Sequence, residues 1–320
     1  MIMVSIVVPI YGVECYIEKC VRSLFEQTFK NIEYIFVNDC TKDKSISILD
    51  KVIQEYPERH SFISILNHEV NKGLAAARKT GIKHAHGKYL LHVDSDDWLE
   101  KDAVELLYNK AEQEDADIVV FDLLHIYGNK VITECNSIGI DKVDYIKSIL
   151  ERKTSVNLVS KLFKTELCKK TDVLPIEGLN YSEDFAVLPR IAYYADNIVK
   201  LDKSLYNYNH LNERSYTNSV KRSNIDSLVQ TLRVHKDFFS LKTDYNLYEK
   251  ALYISRVINE NVMLCICEDE DIPYVMGMIN YSGLSIWIQL PFKHKILHIC
   301  GKFRLINSMR LYKYLRNKKY

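Results

Sequence analysis

The chain has 320 residues, 47% hydrophobic and 27% charged, a composition that fits a folded soluble protein and excludes a disordered or fibrous one. At this length one large domain with an appendage is expected. The net charge of +1 hides an asymmetry: Ile272 to Tyr320 carries nine Lys or Arg and no acid, whereas residues 1–271 hold 34 bases against 42 acids. The acidic body and the basic tail should therefore meet different partners. The eight cysteines are scattered and include no CxxC pair, which argues against zinc and for reduced thiols in a cytosolic protein. Met1 to Pro9 is too short for a signal peptide and lacks its basic start. Leu284 to Cys300 is interrupted by Pro291, Lys293 and Lys295, so no transmembrane helix is expected.

Val4 to Pro9 reads as a β-branched strand that stops at proline. Helical spacing follows, with Tyr16, Cys20, Leu24 and Phe25 on one face. Strands are expected at Ile32 to Val37 and Phe62 to Leu66, with a helix from about Lys44 to Tyr56 between them. Asn71-Lys72-Gly73 opens a helix that runs through Ala85 and is closed by Gly87. A buried strand then runs from Lys88 to Val93. This alternation predicts a parallel sheet with helices on both faces. Beyond it come a helix to about Glu114, a strand from Asp117 to Leu124 and a hairpin return at Val131 to Glu134. Residues 141–170 read as helical or mixed. Glu183 to Ala195 reads as a helix with Ser182 as its N-cap, followed by short strands at Ile198 to Leu201 and Ser204 to Tyr208. From about Ser223 onward only helices are predicted. The boundary is placed in the polar loop Asn212 to Asn224, giving a large α/β domain over 1–215 and a helical basic extension over 216–320. Within the former, residues 1–97 and 98–215 are read as two halves.

The chemistry converges on Asp94-Ser95-Asp96-Asp97, three carboxylates in four residues at the end of a buried strand. Like charges this close raise one another's pKa, and a hard cation such as Mn²⁺ or Mg²⁺ bridging to a phosphate would remove that cost. The alternative is a helix N-terminus after Trp98 capped by Asp97. Open α/β sheets bind ligands at the carboxyl ends of their strands. Three other features fall there: Pro9 and Tyr11, Asp39, and Asn71 to Arg78. Tyr11 offers a stacking face, Asp39 an acceptor for a base or ribose, and the amides of 71–73 with Arg78 an anion site. Together these would bind a nucleoside diphosphate. Each also has a bland reading, in packing, in helix capping by Asp39 or Asp43, or as a solvated Arg78.

The ordered set Val4-Ser5-Ile6-Val7-Val8-Pro9-Ile10-Tyr11, Val37-Asn38-Asp39-Cys40-Thr41-Lys42-Asp43, Asn71-Lys72-Gly73-Leu74-Ala75-Ala76-Ala77-Arg78 and Asp94-Ser95-Asp96-Asp97 resembles family 2 glycosyltransferases of the GT-A fold over about residues 1–210. The resemblance implies a metal-dependent, inverting, nucleotide-sugar-using transferase of hexosyl or N-acetylhexosaminyl type. It implies Asp39 at the nucleoside, Asp94 (with Ser95 beside it) at ribose or sugar, Asp96 on Mn²⁺ or Mg²⁺, and Asp184 of Glu183-Asp184 as general base. From spacing alone, Asp184 reads first as a first-turn helix acid, and the resemblance reverses that preference. Ser160-Lys161-Leu162-Phe163 and Tyr206 to His210, followed by Arg214-Ser215-Tyr216-Thr217, resemble further family segments. Glu183, Lys161, His210 and Arg214 are thereby candidate acceptor or diphosphate contacts. The chain departs from the family at Gly12, Asn38, Cys40 and Thr41, without losing a carboxylate that the mechanism needs.

The implied donor is a nucleotide sugar, a UDP-sugar first, and the implied acceptor a glycan or lipid-linked glycan in cell-surface polysaccharide synthesis. Apolar residues interleave with bases over 284–320, the pattern of a peripheral contact with an anionic membrane surface, here the inner face of the plasma membrane. Packing on the body or on a second copy, a homodimer, is the alternative. No recognition motif accompanies the charge, so no nucleic-acid partner is expected. Two rival functions are a sugar-phosphate nucleotidyltransferase and a non-catalytic nucleotide- or glycan-binding relative. The first needs a Gly-rich, Arg-bearing loop that Pro9 to Cys20 lacks; the second sits poorly with retained Asp94, Asp96 and Asp184.

Overall fold

The computed structural model describes residues 2–212, 222–278 and 292–317. The chain divides into two compact units, Met1–Ile149 with Thr154–Arg214, and Leu150–Lys153 with Ser215–Tyr320.

The first unit is built on one sheet of nine strands among the described residues. Strands β1 (Val4–Ile10), β2 (Ile32–Asn38), β3 (Ile63–Asn67) and β4 (Tyr89–His92) run parallel in the order β3-β2-β1-β4. Helices α1 (Ile17–Phe25), α2 (Ser45–Gln54) and α3 (Leu74–His84) make the crossovers. Every residue of β1 is buried, as a strand covered on both faces requires. Val4, Ile6, Val8 and Ile10 pack with Val21, Leu24 and Phe25 of α1 and with Leu49 and Val52 of α2. On the opposite face Val7 meets α3 so closely that a Cβ on Gly81 would lie 2.2 Å from a Val7 methyl.

Past β4 the sheet becomes mixed. β5 (Trp98–Leu99) precedes α4 (Ala103–Gln113), and β6 (Ile118–Tyr127) turns back into β7 (Lys130–Glu134). Helix α5 (Lys142–Leu150) leads to β8 (Lys161–Lys164), a short strand inserted antiparallel between β4 and β6. After the short α6 (Thr165–Cys168) and α7 (Glu183–Tyr194), β9 (Ile198–Asn209) runs parallel to β6 and antiparallel to β5. A register irregularity opposite Phe121 to Leu123 interrupts β9, which explains why the sequence reads as two short strands. The predicted strands and helices of residues 1–134 are present. β8 falls in the stretch read as helical or mixed, and β5 in the stretch read as the start of a helix.

Two expected caps take other forms. Trp98–Leu99 is a strand, so Asp97 caps no helix there. Ser182 precedes α7 in the left-handed region (φ 60°) and makes no side-chain cap; its hydroxyl donates to the Tyr181 carbonyl. The regular elements of the second unit among the described residues are all helices, chiefly α8 (Arg222–Ser240), α9 (Glu249–Ile266), α10 (Ile272–Met278), α11 (Phe292–Lys302) and α12 (Ile306–Asn317). No helix among the described residues is long and apolar enough to cross a membrane.

Candidate active site

The carboxyl ends of β1, β2 and β4 and the turn after β4 bring the acidic motif to the sheet edge. Asp97 N–H donates to the Asp94 carbonyl at 3.0 Å and closes a tight turn over Ser95 and Asp96. Tyr206, Asn209 and Asn212, at and beyond the end of β9, hold that turn. The Tyr206 hydroxyl donates to Asp97 Oδ2 at 2.6 Å and accepts from Asp94 N–H at 3.0 Å. Asn209 N–H donates to Asp97 Oδ1 at 2.7 Å, and Asn212 Nδ2 donates to Asp96 Oδ2 at 2.8 Å. Asp97 is thus a buried acceptor that fixes the turn. This role was legible only through a strand 109 residues away.

Arg78, on the inner side of α3, is 1% exposed rather than solvated. Its Nη2 donates to Asp94 Oδ1 at 2.9 Å and stands 3.5 Å from Asp184 Oδ1; its Nε is 3.5 Å from Glu183 Oε1. One guanidinium therefore joins the acidic turn to the Glu183-Asp184 pair at the start of α7. Arg78 Nε and Nη1 and Asp184 Oδ1 are buried without a hydrogen-bond partner among the described residues. Asp184 Oδ2 accepts from Leu158 N–H at 3.2 Å.

The electrostatics follow from this crowding. Burial pushes Asp94 up to about 6, with Asp184 and Asp96 adding to the shift and Arg78 opposing it. Burial also raises Asp96, and raises Asp97 well above the usual carboxylate range with help from Asp96 and Asp94. Burial and then Asp184 raise Glu183 strongly. Burial pulls against the Arg78 charge, but Asp94, Asp184 and Glu183 outweigh it and the net shift is upward.

Asp39 lies inside rather than at the surface, 3% exposed. Its carboxylate accepts from His68 Nδ1 at 2.7 Å, Lys72 N–H at 2.8 Å and Gly73 N–H at 2.7 Å. The amides expected to hold a ligand anion thus hold Asp39. Gly73 is required here: its φ is +85°, and a Cβ would lie 2.1 Å from the Asn180 amide that accepts from Ala75 N–H. Asp43 lies one residue before the N-cap Lys44 and accepts from the first amide of α2, Ser45 N–H, at 3.1 Å. Pro9 and Ser95 are buried, and Tyr11 is 52% exposed.

Lys161 is wholly buried, and its ammonium donates to Ser155 O, Asn157 O, Asn157 Oδ1 and Ser160 Oγ. It is therefore committed to the loop before β8, not poised as a diphosphate contact. Burial pulls it down to about 7 while Asp184 and Glu134 pull it up. The four oxygens around Nζ all accept, which is the environment of an ammonium rather than a free amine. Leu158, whose amide holds Asp184, sits in the same loop. His210 pairs through Nε2 with His125 Nδ1 at 2.7 Å. Arg214 lies outside the described residues.

Among the described residues no three His, Cys, Asp or Glu side chains converge as a complete metal cage. The donor set still suits Mg²⁺ or Mn²⁺. These hard cations are held through one or two carboxylates plus substrate phosphates, and Asp96 is a half-buried carboxylate whose charge is destabilised by burial.

Comparison with known proteins agrees with this geometry. The profile described as "Glycosyl transferase family 2" matches residues 5–157. The glycosyltransferase GlyA of Streptococcus pneumoniae serotype 4 is 33% identical over 221 residues, 64% of this chain; this chain spans only 30% of GlyA. EpsJ of Bacillus subtilis, an uncharacterized glycosyltransferase, is 30% identical over 266 residues, 77% of this chain and 74% of EpsJ. The crystal structure of S. aureus TarS 1-349 in complex with UDP shares the fold, with a TM-score of 0.73 at 18% identity over 99% of this chain and 92% of that one. Sheet, acidic turn and relatives lead to one assignment: the chain belongs to glycosyl transferase family 2, on a GT-A fold.

Proposed function

We propose that the chain is an inverting hexosyl- or N-acetylhexosaminyltransferase that moves a sugar from a nucleoside-diphosphate sugar, UDP first, to a hydroxyl of a glycan or lipid-linked glycan. Residues 1–97 form the nucleotide half and 98–215 the acceptor half. The observation that carries the reading is the Arg78 bridge, 2.9 Å from Asp94 and 3.5 Å from Asp184. It sets the carboxylate of the donor side beside the carboxylate of the base.

In this reading Asp184 takes the proton of the attacking hydroxyl as the new C–O bond forms and the anomeric C–O bond to phosphate breaks. The electron pair of the broken bond leaves on the nucleoside diphosphate. Arg78, 3.5 Å from Asp184 Oδ1, orients the base, and the Leu158 amide fixes Oδ2. Asp94 faces the ribose or sugar, Asp96 holds Mn²⁺ or Mg²⁺, and Tyr11 stacks on the base. Asp39 shapes the floor of the nucleoside site through the 71–73 loop. A bound divalent cation supplies charge neutralisation for the departing diphosphate.

Helix α11 exposes Ile296 and Ile299 beside Lys302, and the turn after it exposes Phe303 and Arg304. That face supports peripheral contact with an anionic leaflet on the cytoplasmic side of the plasma membrane, where a polysaccharide repeat unit is built on lipid. The rest of 284–291 lies outside the described residues. A homodimer through the same face is the other use of it.

The test is a panel of nucleotide sugars assayed for Mn²⁺-dependent hydrolysis and transfer, with Asp184→Asn alongside. Nucleotide binding without transfer is expected of the variant. Unchanged turnover would remove Asp184 from the base role, and a wholly inert panel would favour a non-catalytic binding protein.

A further inference from the structure

Beside the acidic turn lies a cluster that the reaction as described does not use. Glu134 Oε2 is 2.6 Å from His125 Nε2, and His125 Nδ1 is 2.7 Å from His210 Nε2. Tyr127 stacks on His210 with ring centroids 4.0 Å apart and planes 12° from parallel. Tyr208 packs on His210 from another side at 4.8 Å. These residues come from β6, β7 and the end of β9, which are paired in one sheet.

With both imidazoles neutral, the hydrogen bonds run in one direction. An ionised Glu134 only accepts, so His125 donates through Nε2–H. Neutral His125 is then left with a lone pair on Nδ1, which must accept from Nε2–H of His210. His210 is thereby held in the tautomer whose Nδ1 carries a lone pair. The same logic orients histidines through a carboxylate partner elsewhere. Tyr127 remains 45% exposed although its ring is stacked on His210.

The cluster is also next to the chemistry. His210 directly follows Asn209, which bonds Asp96 and Asp97. The Tyr208 hydroxyl, raised first by burial, is raised further by Asp94, Asp97, Asp96 and Asp184. Lys161 feels both Asp184 and Glu134. The aromatic pair is thus joined through Asn209 to the acidic turn.

We propose that Tyr127 and His210 form the platform for the acceptor sugar, Tyr127 stacking on the apolar C–H face of a pyranose and His210 Nδ1 accepting from one of its hydroxyls. His125 and Glu134 are positioning residues that set the tautomer. This rests on the glycosyltransferase reading and names the ring-face and hydroxyl chemistry of its acceptor. A rigid, half-exposed aromatic binds sugars at low entropy cost, and a preset acceptor discriminates hydroxyl from its absence.

The test is saturation-transfer NMR on the full chain with UDP and three probes: methyl β-D-glucoside, methyl β-D-galactoside and methyl N-acetyl-β-D-glucosaminide. Transfer from the protein to pyranose ring protons is expected for at least one probe. Tyr127→Ala should lose it and Tyr127→Phe should keep it, with UDP affinity reporting that each variant is folded. In the wild type, long-range ¹H–¹⁵N correlation should show His210 protonated at Nε2, and His125→Phe should abolish that preference. No transfer from any probe, or undiminished transfer in Tyr127→Ala, overturns the platform. A His210 proton on Nδ1 overturns the relay. Nucleotide-sugar hydrolysis is read separately, so a chain that fails there but passes here loses the transferase reading and keeps the sugar site.

Discussion

The Arg78 guanidinium donates to Asp94 Oδ1 at 2.9 Å from a position that is 1% exposed. Asp184 stands 3.5 Å from the donating Nη2, and Glu183 3.5 Å from Nε. Removing the arginine leaves three carboxylates facing one another with no counter-charge. Arg78→Met should cost about 3–5 kcal/mol, the usual penalty for breaking a buried ion pair from one side. Urea denaturation measures it. Arg78→Lys should recover part of the stability but little transfer, because an ammonium cannot serve Asp94 and Asp184 together as a planar fork does.

Asp96→Asn tests the cation. Isothermal titration of UDP with Mn²⁺ and then with EDTA should show a cation-dependent gain in affinity in the wild type and none in the variant. A gain that survives the substitution would place the cation on other residues.

Lys161→Met keeps the volume of a buried side chain but removes the ammonium from the Ser155 and Asn157 carbonyls, whereas Asn157 Oδ1 and Ser160 Oγ keep donors from Ser160 and Asn136. Each buried carbonyl left unsatisfied costs about 1–3 kcal/mol, so a clear fall in denaturation midpoint is expected. The loop also carries Leu158, whose amide holds Asp184. Turnover should therefore drop while UDP affinity stays close to wild type. A fall in UDP affinity instead would restore Lys161 to the donor site.

His92 is wholly buried in β4 and neither ring nitrogen has a hydrogen-bond partner among the described residues. Burial, then the Arg78 charge, holds it well below its ordinary pKa. Below an unfolded-state pKa of about 6.5 the unfolded chain gains a proton that the folded chain refuses, so folding stability falls as pH drops through that range. His92→Leu should remove this contribution. The stability difference between variant and wild type should be larger at pH 5.5 than at pH 7.5, measured by urea midpoints. Equal differences at both values would show that His92 is not the group responsible.

The parallel half of the sheet was legible because continuous β-branched runs alternate with helical spacing, a local signal. β8 was not: Lys161 to Lys164 is four residues with a lysine at each end, and it is a strand only because β4 and β6 flank it. Asp97 before Trp98 has the local look of a helix cap, and pairing with β9 overrides it. The site residues were found from their types and order, but their partners were not. Arg78 reads as evenly solvated or functional until α7 and the turn after β4 are brought to it. Asp39 reads as a ligand contact until the 71–73 amides close on it. In each case the missing information was a contact made across tens of residues, which no local pattern encodes.

The ties from Tyr206, Asn209 and Asn212 to the acidic turn bear on how the enzyme can be dissected. A fragment ending before β9 would keep all four parallel strands and every nucleotide-side motif of residues 1–97. It would nonetheless lose the hydroxyl and amides that hold Asp94, Asp96 and Asp97 in place. Residues 1–97 are therefore no portable module. Any minimal version of this protein, or any chimera that trades acceptor halves between relatives, must carry its own last strand along with its own acidic turn.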